Sequence, residues 1–210
     1  MGKIAVVGSL NMDLVVNTDK IPAMGETVHG KGFMTTPGGK GANQAVAAAR
    51  LGGKVYMAGC VGDDIFGDEL IKNLRANGVD VQNVRVCEGA ATGIAVITVK
   101  DGDNCIILSS GANFGLNEKD TARIEALVKD CRVVVVQLEI PMDIVLRTVE
   151  TAKRHGVKVL LNPAPAVQLT DELLKNIDII VPNESEAEIL TGIKPDCSQN
   201  IKEIFGFFKV

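Results

Sequence analysis

Beyond residue 117 the chain alternates helix-forming and strand-forming segments, and this alternation limits the possible folds more than any other feature. Residues 118–128, 142–155, 170–176 and 184–190 carry helical patterning, with Gly156 and Gly192 as stops. Between them lie residues 133–138, 157–161 and 177–181, three short apolar runs. A strand with one wet face would alternate polar and apolar residues, so continuous runs read as strands buried on both faces. Strands separated by helices connect through right-handed crossovers and build a parallel sheet. Residues 4–8 and 55–61 add two strands, and residues 43–51 and 66–77 add two helices. Composition agrees: 46% of residues are hydrophobic but only 3% aromatic, with no Trp. The core is therefore aliphatic, which suits α/β layers better than a sandwich built around a buried Trp.

Two stretches fall outside this rhythm. Residues 14–17 extend the first strand beyond a short break at 11–13, and residues 26–36 mix Thr, Val and Phe with Gly and Lys, as an exposed ribbon does. Residues 93–99 and 104–110 flank Lys100-Asp101-Gly102-Asp103, a hairpin signal because Asp-Gly accepts the positive φ of a tight turn. Ribbon and hairpin are expected to form a small accessory sheet. Residues 37–41 read as a loop, since Gly38, Gly39 and Gly41 oppose helix and strand alike. A length of 210 residues fits one core with an appendage.

Several function classes are excluded. The formal net charge is −4 and no Lys/Arg run tracks a phosphate backbone, so nucleic acid is not an expected partner. No apolar stretch approaches the length of a membrane span, and the apolar start is too short for a secretion signal. The five Cys have no metal or disulfide spacing and read as reduced thiols and small core hydrophobes of a cytoplasmic protein. The two His, His29 and His155, have no partner spacing for a triad or a metal pair.

Ligands of parallel α/β sheets sit beyond the carboxyl ends of the strands. Three segments there carry candidate chemistry. Asn11 and Asp13 lie two apart in extended chain and point the same way, offering an amide and a carboxylate to hydroxyl groups; the other reading is a turn or cap. Gly38-Gly39-Lys40-Gly41-Ala42-Asn43 opens a helix whose free N–H groups would attract anions or hydroxyl oxygens; the other reading is a flexible loop. It is neither a Walker A loop nor a Rossmann fingerprint. Asn183-Glu184-Ser185-Glu186 is either a capping box or a site where a carboxylate holds Mg²⁺ for a nucleotide. Glu139 is a lone carboxylate at the same rim, or else a surface residue.

Taken together, Gly8-Ser9-Leu10-Asn11-Met12-Asp13, Gly25-Glu26-Thr27, Pro37 through Ala45, Gln137-Leu138-Glu139-Ile140-Pro141, Asn162-Pro163-Ala164-Pro165-Ala166 and Asn183 through Glu186 resemble the carbohydrate-kinase family of ribokinase, fructokinase and adenosine kinase. The first, third and fourth segments are most similar to the branch that takes ribose. The resemblance implies a ribokinase-like three-layer α/β/α core with a mainly parallel sheet, incomplete at its C-terminal end. It implies a small β lid as well, within one domain over residues 1–210 whose lid segments are 25–36 and 93–110. It implies ATP-dependent phosphorylation of D-ribose at the 5-hydroxyl, with Mg²⁺ and a monovalent cation such as K⁺. Asn11, Met12, Asp13, Gly39, Lys40, Gly41, Ala42, Asn43 and Glu139 would then bind the sugar. Asn183 and Glu186 would serve ATP, Glu186 also the metal, and the lid would join two subunits as a homodimer. The family's catalytic base is the Asp of a Gly-Ala-Gly-Asp motif that does not occur in these 210 residues, so no catalytic residue is assigned here. Phe205 through Val210 also departs from the family pattern. Two alternatives stay open: a non-catalytic sugar-binding or dimerising fragment, and a kinase for deoxyribose or a related pentose.

Overall fold

The structure is a computed structural model describing residues 2–208; the outermost residues of the 1–210 domain, Lys209 and Val210 among them, lie outside the described residues. The first half contains β1 (Lys3–Val7), β2 (Asn11–Thr18), β3 (Gly30–Gly38), α1 (Lys40–Arg50), β4 (Lys54–Gly62), α2 (Ile65–Ala76) and β5 (Asp80–Cys87). A hairpin of β6 (Gly93–Lys100) and β7 (Asp103–Ser109) follows, then a 3₁₀ turn at Gly111–Gly115. The second half contains α3 (Glu118–Val128), β8 (Val133–Val136), α4 (Met142–Arg154), β9 (Lys158–Leu161), α5 (Asp171–Leu174), β10 (Ile179–Ile180), α6 (Glu184–Thr191) and α7 (Ser198–Phe208).

Six strands form the main sheet in the order β10-β9-β8-β1-β4-β5, and every pairing is parallel. Both faces are covered at its centre, where successive side chains of a strand enter opposite layers, while Ile179 of the edge strand β10 stands exposed. Ala5 and Val7 of β1 pack with Ile124 and Val128 of α3 and with Ile144 and Val149 of α4. Val6 turns the other way, onto Ala42 and Ala45 of α1 and Leu70 and Leu74 of α2. Ala5, Val6 and Val7 have no exposed surface, and burying each Val contributes about 1.5–3 kcal/mol. The continuous apolar run at the start of the chain is thus the signature of a three-layer core. Capping boxes start α3, from Asn117 and Asp120, and α6, from Asn183 and Glu186; Gly192, with φ 72°, ends α6.

A second sheet of four strands runs β3-β2-β6-β7. Its β6–β7 turn is Asp101-Gly102, with φ of 51° and 85°, the paired positive values of a type I′ turn. Ribbon and hairpin share a sheet as expected, but β2 lies between them, antiparallel to β3 and parallel to β6. The break expected at residues 11–13 is instead the start of β2. The ribbon strand begins at Gly30 and runs to Gly38, later at both ends than the 25–36 lid segment. The sheet's outer parts are exposed: Phe33, Met34, Ile106 and Ile107 all stand in solvent, Ile107 at 73%.

Three elements escaped the patterning. Residues 37–41 are not a loop. Pro37 is tolerated because β3 is an edge strand and needs no donor on its outer side, and Gly39 alone makes the turn before α1. Strand β5 was masked by its polar residues, which the sheet edge exposes, and α7 by Gly206 and three Phe.

Candidate active site

The turn from β3 into α1 is built by close backbone approach. Gly39 has φ 91°, and a Cβ there would sit 2.6 Å from the Asn11 nitrogen; a Cβ at Gly41 would sit 2.7 Å from the Gly8 carbonyl carbon. Glycine at these positions lets α1 begin against the β1–β2 connection. Gly39 gives α1 no side-chain cap. The first three N–H groups of the helix find partners outside it, and the fourth makes the helix's own first bond to its N-cap. Lys40 N–H donates to Glu139 Oε2 at 3.3 Å, Gly41 N–H to Ser9 Oγ at 3.3 Å, Ala42 N–H to the Ser9 carbonyl at 2.9 Å, and Asn43 N–H to the Gly39 carbonyl at 2.9 Å. The expectation of free N–H groups is therefore corrected: the helix start is already occupied, with the Glu139 carboxylate against its positive end. Ser9 Oγ donates to the same Glu139 oxygen, and Lys40 Nζ lies 4.0 Å from the other. Glu139 is not a surface residue; its side chain is 9% exposed.

Asn11 and Asp13 open β2 and point the same way, as their spacing predicted. Met12, between them, turns into the core with no exposed surface, and Ala42 is likewise buried at 3%. Both were placed with the sugar-lining set; their side chains are packing groups, which leaves only their backbone to face a ligand. Asn43 is exposed on the first turn of α1. Asn11 is held by Asn113, a 1%-exposed residue of the 3₁₀ turn. Asn113 Oδ1 accepts from Leu10 N–H at 2.8 Å, and its Nδ2 donates to the Leu10 carbonyl at 3.0 Å and to Asn11 Oδ1 at 2.7 Å. With its oxygen engaged, Asn11 presents its NH₂ as the free end. The Asp13 carboxylate packs where a Cβ on Gly38 would intrude, at 2.4 Å. It is half-buried, and burial, followed by repulsion from Glu139, pushes its pKa up. It has no hydrogen-bond partner among the described residues. An unpaired, partly desolvated carboxylate beside a second one is a binding-site signature, because its charge is costly until a ligand donates to it.

The Asn183–Glu186 corner takes the reciprocal cap. Asn183 N–H donates to Glu186 Oε2 at 2.9 Å, Asn183 Nδ2 to Glu186 Oε1 at 3.1 Å, and Glu186 N–H to Asn183 Oδ1 at 2.7 Å. Beyond the carboxyl end of β10, Asn183 is exposed and Glu186 is half-buried. The cap does not remove them from a ligand's reach, since a carboxylate has further lone pairs. Among the described residues no group of three or more His, Cys, Asp or Glu is arranged to hold a metal ion. A lone hard oxygen donor fits magnesium only in its usual nucleotide mode, in which one or two carboxylates and phosphate oxygens share the ion with water. No described helix is long and apolar enough to cross a membrane. Cys60, Cys87 and Cys131 are buried as expected, whereas Cys105 and Cys197 are exposed.

Ser9 and Asn113 were not singled out by the sequence. Ser9 sits inside the Gly8–Asp13 segment and was legible by position. Asn113 lies 103 residues from the strand it clamps, and nothing local marks it.

The chain is similar to known carbohydrate kinases. Residues 1–205 match the model of the pfkB family carbohydrate kinases. The chain is 47% identical over 197 residues to a ribokinase of Schizosaccharomyces pombe, covering 90% of this chain and 62% of that protein. It is 43% identical over 201 residues to a deoxyribokinase of Salmonella typhi, covering 95% of this chain and 66% of that protein. The solved structure of Arabidopsis thaliana ribokinase complexed with ribose and ATP superposes with a TM-score of 0.88 at 33% identity, over 99% of this chain and 68% of that one. The chain thus spans less than two thirds of the length of these two curated relatives.

Proposed function

The chain belongs to the pfkB family of carbohydrate kinases, and from that premise we propose that it is the sugar-side part of a ribokinase, which transfers the γ-phosphoryl group of ATP to the 5-hydroxyl of D-ribose. The unpaired Asp13 carboxylate, set beside Glu139 and the glycine-lined start of α1, carries this reading. Asp13 only accepts hydrogen bonds, and a sugar offers vicinal hydroxyl donors. The Asn11 NH₂ donates to a sugar oxygen, and Lys40 contributes a cation at the mouth. Gly39 and Gly41 let α1 begin against the β1–β2 connection, Asn43 stands exposed on its first turn to reach the sugar, and Glu139 holds the helix start in place.

Binding of this kind supplies orientation: it fixes the 5-hydroxyl for in-line attack, which forms a new O–P bond as the bond to the departing ADP breaks. No residue described here is assigned as the base that takes the proton of the hydroxyl. Asn183 and Glu186 would serve the nucleotide, and Glu186 would help hold magnesium, which would neutralise phosphate charge there. No residue of the chain is assigned to the monovalent cation. We place the enzyme in the cytoplasm, as a homodimer joined through the lid sheet, whose exposed Phe33 and Ile107 support a partner there.

The test is ATP-dependent formation of ribose 5-phosphate by the full-length protein and its Asp13→Ala form. Loss of turnover in the variant is expected; equal activity would remove Asp13 from the sugar site. Because a deoxyribokinase is 43% identical, turnover on 2-deoxyribose is measured alongside and decides the pentose.

A further inference from the structure

Beneath the sugar cradle three side-chain amides form a chain. Gln137, fully buried just past β8, donates from Nε2 to Gln44 Oε1 at 2.6 Å. Gln44, on the second turn of α1, donates from Nε2 to Asn162 Oδ1 at 3.2 Å. Asn162, just past β9, donates from Nδ2 to the Val181 carbonyl at 3.0 Å, at the end of β10 that leads to Asn183. The direction of this chain is forced. A carbonyl only accepts, so Asn162 must turn its NH₂ to Val181; its oxygen then faces Gln44, and each amide orients the next. The consequence falls on Gln137, whose Oε1 is left as a buried oxygen with no partner among the described residues. It fills the space beside Gly8, where a Cβ would sit only 1.8 Å away. A buried acceptor without a donor is costly, so its presence points to a role for the chain that offsets it.

We infer that Gln137, Gln44 and Asn162 are positioning residues: a one-way amide relay that ties the first turns of α1, and with them the Gly39–Asn43 cradle, to the ends of β8, β9 and β10. Among the described residues the side chains of the three make no hydrogen bond to any of the proposed sugar ligands. They fix the helix that presents those ligands and join it to the strand leading into the nucleotide corner. Aligned amides polarise one another, so removing any one weakens the whole. The effect on sugar affinity rests on the ribokinase reading; the effect on the helix start does not.

The experiment is backbone amide hydrogen exchange of the 210-residue chain, followed by calorimetry with D-ribose. Gln44→Leu removes both links; Gln44→Glu keeps the acceptor for Gln137 and loses the donor to Asn162, and serves if the first variant does not fold. Asn162→Asp abolishes the far link alone. Exchange at Gly41 and Ala42 is expected to rise about tenfold in each variant, while exchange in β4 stays unchanged. Ribose affinity is expected to fall about tenfold in Asn162→Asp, a residue that bonds to none of the proposed sugar ligands, a response that loss of a local packing contact would not produce. Exchange at Gly41 within twofold of the original in all variants would overturn the relay, whatever the sugar does. If the unaltered chain takes up no ribose, the ribokinase reading fails while the exchange result still decides the relay.

Discussion

Asn113→Ala removes the residue on which the sugar-side strand hangs. Three hydrogen bonds are lost: those with the Leu10 N–H, the Leu10 carbonyl and Asn11 Oδ1. Leu10 has no exposed surface, so its two backbone groups are left without water. Each buried group deprived of its partner costs about 1–3 kcal/mol, and the deleted amide leaves a small cavity as well. The sum is about 3–5 kcal/mol, a large part of the 5–15 kcal/mol that holds a typical protein folded. For a chain of this length that lowers Tm by about 8–15 °C. Urea unfolding followed by circular dichroism reads the free-energy change directly. Asn113→Asp is the sharper variant: it keeps an acceptor for Leu10 N–H but turns a carboxylate oxygen towards the Leu10 carbonyl and Asn11 Oδ1, so it should be at least as damaging. A loss below about 1 kcal/mol for Ala, or tolerance of Asp, would refute the clamp.

Three further outcomes follow from named contacts. Gly39→Ala places a Cβ against the Asn11 backbone at a φ of 91°, and should destabilise by about 2–4 kcal/mol in thermal melts. Asp13→Asn should raise Tm at pH 8 while weakening ribose. The raised pKa means that folding disfavours the ionised carboxylate, so the gain is greatest above the folded-state pKa and shrinks as the pH falls through it and both forms become neutral. The proposed lid dimer predicts that Ile107→Asp, at an exposed position of β7, shifts sedimentation from dimer to monomer with no loss of helix content; an unchanged sedimentation coefficient would refute it.

Much of the core was legible because its rules are local. The apolar run that holds Val133–Val136 reads as a two-face-buried strand, and α3 was read to the residue, at whose start the structure shows a capping box from Asn117 and Asp120. The glycine-rich turn was misread for an instructive reason. Local propensity opposes helix at Gly41 and strand at Pro37 and Gly38, yet the chain places both there, since only glycine admits Gly8, Asn11 and Asp13 so close. The site was legible in part. Asn11 and Asp13 follow from strand periodicity, whereas Glu139 looks like any rim carboxylate until folding brings Lys40 N–H and Ser9 to it across 99 and 130 residues. Asn183 and Glu186 form the capping box that one of the two readings expected, and they do so at a strand end, where the nucleotide role is our proposal.

Calorimetric titration of D-ribose into the protein and its Asp13→Asn form tests the central claim most directly. The account predicts one sugar per chain for the unaltered protein and an affinity weaker by about a hundredfold in the variant, because the sugar hydroxyls then face an amide in place of their carboxylate acceptor. Equal affinity in the two forms, or no heat from the unaltered protein at millimolar ribose, would contradict it.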